Sequence, residues 1–365
     1  MITVLFFILI LVIVVVVFMQ QPKFGKTPRG KRLELIKQSP HFKKGKFENL
    51  SFTPDLTEGA TYYSVLNKFL FQKKVRPKPA IKLPSAKTNL HQLEKDENVL
   101  VWFGHSSYFM QIEGRTFLVD PVLSGAASPI KFTTRSFDGS DIYSAEDIPA
   151  IDYLIITHDH WDHLDYETII KLKSKISKVI CGLGVGEHFE HWGFDHSIIV
   201  EHQWYETILL EDQLTMYTTP ARHFSGRGLS RNKSLWMSYV LQTPSMKIFI
   251  GGDSGYDTHF ERTGAEHGPF DLAILECGQY DKSWRYIHTL PDEIIKVAKA
   301  LKAKKVMPVH WGKFQLANHA WDEPILNITS LAPENNIPLV TPLIGEVVNL
   351  KKENQVFNAW WKDIN

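Results

Sequence analysis

Tyr153-Leu154-Ile155-Ile156-Thr157-His158-Asp159-His160-Trp161-Asp162-His163 decides the fold. An apolar run of strand length is followed by four metal-ligand side chains, His158, His160, Asp162 and His163, within six residues. Spacings of two, four and five cannot set all four on one helix face, but they converge from a tight loop leaving a buried strand. Such a loop can divide its ligands between two adjacent cations. Histidines with carboxylates suit zinc, and two close cations can activate water for hydrolysis. The rival is a polar loop that happens to be rich in histidine. The HxHxDH spacing directly after a hydrophobic strand speaks against it.

A two-metal site needs further ligands, and these belong at other strand ends. His223 follows Leu214-Thr215-Met216-Tyr217-Thr218-Thr219-Pro220, Asp253 follows Lys247-Ile248-Phe249-Ile250-Gly251-Gly252, and His310 follows Lys305-Val306-Met307-Pro308-Val309. HxHxDH followed by His, Asp and His in that order resembles the metallo-β-lactamase superfamily of binuclear hydrolases. The resemblance implies that His158, His160 and His223 hold one metal and that Asp162, His163 and His310 hold the other. Asp253 would bridge the two. Two zinc ions are the expected cofactors, and other divalent transition metals suit the same donors.

Local motifs narrow the resemblance. Trp102-Phe103-Gly104-His105-Ser106-Ser107, Asp120-Pro121-Val122-Leu123-Ser124, Ala127-Ser128-Pro129, Thr157 to Tyr166, Gly252-Asp253-Ser254-Gly255-Tyr256 and His310-Trp311-Gly312-Lys313-Phe314 with Leu316-Ala317-Asn318 occur in one order across about residues 98–325. They look like the family of N-acylphosphatidylethanolamine-hydrolysing phospholipase D. A related bacterial branch with the same metal pattern includes ascorbate-6-phosphate lactonase. The resemblance implies a phospholipase D-type phosphodiesterase in which Asp253 positions the metals and takes the water's proton. His288, before Leu290-Pro291-Asp292-Glu293-Ile294, would bind phosphate or protonate the leaving alkoxide; the rival is a surface histidine at a helix start. Asp120 is expected to orient a ligand histidine, and His105 to pack beside it.

The chain has 365 residues, 44% hydrophobic and 22% charged, an ordinary globular composition. Strands come first, near 99–103, 108–112 and 116–120, then strands alternate with helices near 165–175, 291–301 and 323–331. This order fits an αββα metallo-β-lactamase sandwich, two sheets between helical layers, with the catalytic domain over 98–350. Cys181 and Cys277 lack CxxC spacing and suggest no disulfide framework. Ile2 to Met19 is apolar but for Thr3 and predicts an N-terminal transmembrane helix, with a single-pass anchor over 2–20. No basic residue precedes the run and no Ala-x-Ala follows it, which disfavours a cleaved signal peptide. Lys23, Lys26, Arg29, Lys31 and Arg32 follow the run, so the positive-inside rule predicts a cytoplasmic catalytic domain.

Residues 1–95 carry 17 Lys or Arg against 5 acids, and residues 96–365 carry 24 against 35. A basic arm over 21–97 thus joins the apolar segment to an acidic body. Anionic lipid is one expected partner of the arm, and a solvated linker is the alternative. Nucleic acid is not expected, because no nucleic-acid motif accompanies the basic stretch. Within the arm, Tyr62 to Phe71 places Leu66, Phe69 and Leu70 on one helical face, suited to packing on the body or to a lipid interface. Residues 76–87, with Pro77, Pro79 and Pro84, read as an extended linker. The expected function is a membrane-anchored binuclear hydrolase of N-acylphosphatidylethanolamine or a related phospholipid. The alternatives are hydrolysis of a soluble phosphodiester or lactone, and a metal-binding membrane scaffold without activity.

Overall fold

Alternation with period two places the strand residues on two buried faces. Phe117 and Val119, with Tyr153 and Ile155, enter one apolar cluster, while Leu118 and Leu154 between them enter another. Both faces of these strands are therefore covered, which is why the runs read as continuously apolar.

The computed structural model describes residues 2–211 and 213–364. The chain opens with α1 (Ile2–Met19), α2 (Gly30–Gln38), the short strands β1 (Phe42–Lys43) and β2 (Lys46–Phe47), and α3 (Tyr62–Phe71). There follow β3 (Val99–Trp102), β4 (Tyr108–Ile112), β5 (Arg115–Val119), β6 (Ile151–Ile155), α4 (Tyr166–Leu172), β7 (Ile176–Gly182), α5 (Gly186–His191) and β8 (Ile199–His202). The second half comprises β9 (Thr207–Leu209), β10 (Thr215–Thr219), β11 (Ser238–Gln242), β12 (Lys247–Ile250), α6 (His259–Glu266) and β13 (Leu272–Glu276). It closes with α7 (Glu293–Ala300), β14 (Val306–Val309), α8 (Glu323–Glu334) and β15 (Val347–Asn349).

Two sheets result, one of seven strands in the order β15-β3-β4-β5-β6-β7-β8 and one of six in the order β14-β13-β12-β11-β10-β9. The larger cluster joins inward residues of both sheets, such as Met110 and Phe117 with Met216, Tyr239 and Phe249, and extends to Phe260, Ile294 and Ile325 of α6, α7 and α8. The other cluster fills the far face of the first sheet with Ile169 and Leu172 of α4 and Phe189 of α5. Each fully buried Leu, Ile or Phe contributes about 1.5–3 kcal/mol relative to exposure. The β4–β5 hairpin turns at Glu113 and Gly114, both at positive φ (50° and 74°), as a two-residue hairpin loop demands. Asp165 caps α4 by accepting from Glu167 N, so the helix starts at the residue that the sequence marks.

β5, β6 and β7 run parallel, as do β12, β13 and β14. Their C-terminal ends share one edge of the sandwich, and the ligand loops leave from it.

The N-terminal segment differs from expectation in two respects. The predicted membrane-spanning anchor is not borne out: among the described residues no helix is long and apolar enough to cross a membrane. α1 forms over 18 residues, reaching about 27 Å against a hydrocarbon core of about 30 Å. It stops where Gln20, Gln21 and Pro22 follow. Its side chains from Val4 to Val17 are nonetheless exposed all round. α3 forms as predicted, capped by Thr61 and Ser64, but none of its residues is buried, so its apolar stripe does not pack on the body.

The arm between them docks on the body. Arg32 is 9% exposed and pairs with Glu187 (2.9 Å), Glu190 (2.7 Å) and Glu201 (2.6 Å). Ile36 and Phe47 enter the inter-sheet cluster. Removing one partner of a buried ion network leaves charges uncompensated. Arg32→Ala is therefore expected to destabilise the protein by about 3 kcal/mol and to open the arm to limited proteolysis. Unchanged cleavage between residues 21 and 60 would show that the arm is held some other way.

Candidate metal centre

Every predicted ligand leaves the common sheet edge. His158, His160, Asp162 and His163 sit in the loop after β6, His223 after β10, Asp253 after β12 and His310 directly after β14. The chain turns sharply at some of these points. His310 (φ 68°), Asp120 (φ 42°) and His105 (φ 54°) adopt left-handed backbone, a strain on the order of 1 kcal/mol each.

The side chains converge in two groups. In the first, His158 Nε2 lies 2.9 Å and His223 Nε2 3.2 Å from His160 Nδ1. Such separations are near the ~3.3 Å between nitrogens around a tetrahedral zinc. In the second, His163 Nε2 lies 3.4 Å and His310 Nε2 3.9 Å from Asp162 Oδ2. Asp253 stands between them. Its Oδ1 is 3.2 Å from His163 Nε2 and from His310 Nδ1, while its Oδ2 is 3.9 Å from His158 Nε2 and 3.7 Å from His223 Nε2.

Outer residues fix these orientations. Asp120 accepts from Thr157 N (2.9 Å) and Thr157 Oγ1 (2.6 Å) and lies 2.8 Å from His163 Nδ1, as expected for a carboxylate behind a ligand histidine. His105 Nε2 is 3.0 Å from Asp162 Oδ2. His223 Nδ1 lies 2.8 Å from the Ile287 carbonyl.

The electrostatics describe a nest built for positive charge. Burial, reinforced by neighbouring imidazoles, holds His158 well below the usual histidine range. Burial likewise lowers His223 and His310, and takes His160 down to about 4. These rings are neutral at pH 7 and have lone pairs to offer. Burial would raise Asp162 and Asp253, but His163 overrides it and holds both well below the carboxylate range. Burial would lower His163, yet Asp253, Asp162 and Asp120 hold it well above the histidine range. A bound cation would take the place of that proton. The residues fit such a group on independent grounds. Buried His160 Nε2 has no hydrogen-bond partner among the described residues, and His163 Nε2 and Asp253 Oδ1, though 3.2 Å apart, form no hydrogen bond of acceptable geometry; each buried polar atom left unsatisfied costs about 1–3 kcal/mol. Sets of these atoms lie within 4.8 Å of one another, a spacing that one or two ions can bridge.

His288 also reaches the site. Its Nδ1 lies 2.6 Å from Glu276 Oε2 and 4.0 Å from Asp253 Oδ2, and its ring centroid is 5.0 Å from that of His223. Burial would lower His288, but Glu276 raises it to about 9; burial pushes Glu276 itself up to about 7. Both shifts describe one proton held between the two groups. Glu276 is anchored by Ser254 N (2.8 Å) and Thr289 N (3.1 Å).

Three of these supporting residues were not read from the sequence. Glu276 ends β13, beside the strand that delivers Asp253, and a carboxylate at that strand end was the available signal. Asn49 accepts from His223 N (3.1 Å) and donates to His223 O (2.8 Å), and Trp236 Nε1 donates to it (2.9 Å). Arg227, 4% exposed, donates to the carbonyls of Asp159 (3.0 Å), Leu164 (2.5 Å) and Lys23 (2.8 Å), bracing both ends of the ligand loop. Neither sits in a recognisable motif.

Residues 115–311 match the family described as the beta-lactamase superfamily domain. An uncharacterised protein of Mycobacterium tuberculosis is 34% identical over 90% of this chain and 89% of its own length. The N-acyl-phosphatidylethanolamine-hydrolyzing phospholipase D 1 of Caenorhabditis elegans is 30% identical over 59% of this chain and 64% of that protein. Among solved structures, the metallo hydrolase Igni18 of Ignicoccus hospitalis superposes with a TM-score of 0.53 at 20% identity, covering 69% of this chain and 98% of that one. That likeness is one of fold.

If Asp120 works through His163, Asp120→Asn lowers metal affinity by about 10–100-fold with the fold retained. Zinc competition against a chromophoric chelator measures it. Wild-type affinity in that variant would remove Asp120 from the centre.

Proposed function

The chain belongs to the metallo-β-lactamase superfamily of metal-dependent hydrolases, and from that membership we propose that it is a binuclear phosphodiesterase of the phospholipase D type. Its proposed substrate is N-acylphosphatidylethanolamine or a related phospholipid. The observation that carries this reading is Asp253, with one oxygen toward each group of histidines and His288 within 4.0 Å of it. The partial likeness to the nematode phospholipase D supports the substrate class.

His158, His160 and His223 would hold one cation, and Asp162, His163 and His310 the other, with Asp253 shared between them. Zinc is the metal that this donor set favours. When bound, such a pair supplies a water acidic enough to ionise near neutral pH and positive charge beside a phosphoryl oxygen. The rest is done by the chain. Asp253 orients the water and accepts its proton. Asp120 and Thr157 keep His163 from rotating. Glu276 holds His288 through Nδ1, which leaves the other ring nitrogen for a phosphate oxygen or for the alcohol that departs. Burial keeps bulk water from these polar atoms and strengthens each contact. Cleavage on the headgroup side yields phosphatidic acid and an N-acylethanolamine-type alcohol. α1, apolar and exposed from Val4 to Val17, associates with lipid in this reading and keeps the site near its substrate.

The test is an assay of metal-quantified protein in mixed micelles. It compares N-acylphosphatidylethanolamine, phosphatidylethanolamine and a soluble bis-aryl phosphodiester. Phosphatidic acid release is expected, reduced by at least about 100-fold in Asp253→Asn. Turnover of the soluble diester alone rejects the lipid assignment. No turnover with two metals bound points to a lactone, and then to a scaffold. Because Glu276 acts through His288, Glu276→Gln is expected to lower kcat by about 10–100-fold while metal content stays unchanged. Loss of metal from that variant would sink the positioning role.

A further inference from the structure

Within the ligand loop, His160 and Trp161 are the residues that are not buried, so the centre approaches the surface on their side. Phe24, just past α1, packs edge-on against Trp161 at 5.2 Å. The foot of α1 therefore stands beside the mouth of the site.

Two loops surround that foot. Lys23 Nζ donates to the Pro129 carbonyl (2.7 Å), joining the 128–133 loop to it. A Cβ on Gly228 would lie 2.9 Å from Met19 Cε, so the 226–231 loop touches it from another side. The tips of both loops are apolar and unpartnered. Leu229 is 86% and Phe132 75% exposed, and Ile130 in the same loop as Phe132 is 40% exposed. α3 borders the same region through a continuous chain of contacts. His160 packs on Phe224 (4.3 Å), Arg231 lies over Phe224 (3.9 Å) and pairs with Asp55 (3.1 Å), and Tyr62 of α3 donates to Asp55 (2.7 Å). The exposed Leu66, Phe69 and Leu70 continue from there.

We propose that these elements form one membrane-docking rim around the mouth, in which Leu229, Phe132 and the α3 stripe enter the headgroup–acyl boundary of the bilayer that receives α1. The occupant is a phospholipid surface. α1, apolar and exposed from Val4 to Val17, indicates a hydrocarbon phase, and the rim lies at its foot. Lys23 and Lys26 lie beside the rim, and Lys131 and Arg231 lie in it paired with Glu167 and Asp55, whereas the body over residues 96–365 is acidic, so the rim is the face that repels anionic headgroups least. The apolar tips with neighbouring cations follow the usual composition of an interfacial surface. The inference deepens the phospholipid reading, but its structural test does not depend on activity.

Cys181 and Cys277 are buried, so a single introduced thiol can be labelled. Leu229→Cys, Phe132→Cys and Val356→Cys carry an environment-sensitive fluorophore. Val356 is 87% exposed and lies near the starts of β12, β13 and β14, at the opposite edge from the metal centre. Full-length protein is reconstituted into phosphatidylcholine–phosphatidylglycerol vesicles with and without doxyl-labelled lipid. Labels at positions 229 and 132 are expected to lose at least about half of their emission to the doxyl groups, as groups within ~10 Å of the acyl boundary do, and the label at 356 to keep it. Co-flotation without quenching at 229 and 132 overturns the rim, and so does failure to float with vesicles. Leu229→Asp with Phe132→Asp is further expected to slow hydrolysis of vesicle-borne N-acylphosphatidylethanolamine by about tenfold or more, with the soluble diester unaffected. If the unaltered protein cleaves no phospholipid, the phospholipid reading fails, and the quenching result still decides the rim.

Discussion

Five imidazoles and two carboxylates meet at one buried edge of the sandwich, and their mutual electrostatics constrain everything around them. Unpaired, such groups are costly in a low-dielectric interior. The cost is borne because each ligand is delivered by a strand end whose position the two apolar clusters fix. Parallel β5–β6–β7 and parallel β12–β13–β14 present their C-terminal ends together, which brings loops from opposite halves of the chain to one line. Left-handed backbone at Asp120, His105 and His310 then directs side chains inward where an extended continuation would carry them past. The core thus holds strain and unsatisfied polarity that a bound cation would resolve.

The same constraint explains why some of the site was legible in the sequence. Residues at strand ends leave a local signature, an apolar run followed by His or Asp, and six of the seven expected residues lie in the two groups with Asp253 between them. Asp120 was legible for the same reason. Glu276 was harder, because a glutamate closing a buried strand reads equally as the first residue of a loop. Helices near 165–175, 291–301 and 323–331 were legible because apolar periodicity is local, and for the first of them because Asp165 caps it. β7, β8, β9 and β11 were not read; β8 and β9 are short and only half buried, so neither gives a strong periodic signal.

The arm was the least legible part. Its composition suggests a polycation seeking lipid or solvent, yet Arg32 spends its charge on three glutamates, and Asn49 spends its amide on the backbone of His223, a candidate metal ligand. These contacts join residues more than 150 positions apart, and no local pattern encodes such a pairing. α3 shows the converse case. Its stripe is periodic enough to predict a helix, but amphipathicity does not say which apolar phase the stripe meets. Burial on the body and burial in lipid require the same residues at the same spacing.

The docked arm also has a consequence for the order of events during synthesis. Domains acquire structure from the N-terminus as they emerge, at about 5–20 residues per second. The partners of Arg32 and Asn49 begin at residue 187 and extend to residue 236. The arm therefore leaves the ribosome about 10–40 s before its partners do. Throughout that interval Arg32 and Asn49 lack their partners, and Phe47 has its local contact with Phe42. The arm is made early but docks only after its partners at residues 187–236 have emerged, and the loop carrying His223 gains its Asn49 clasp no sooner than that.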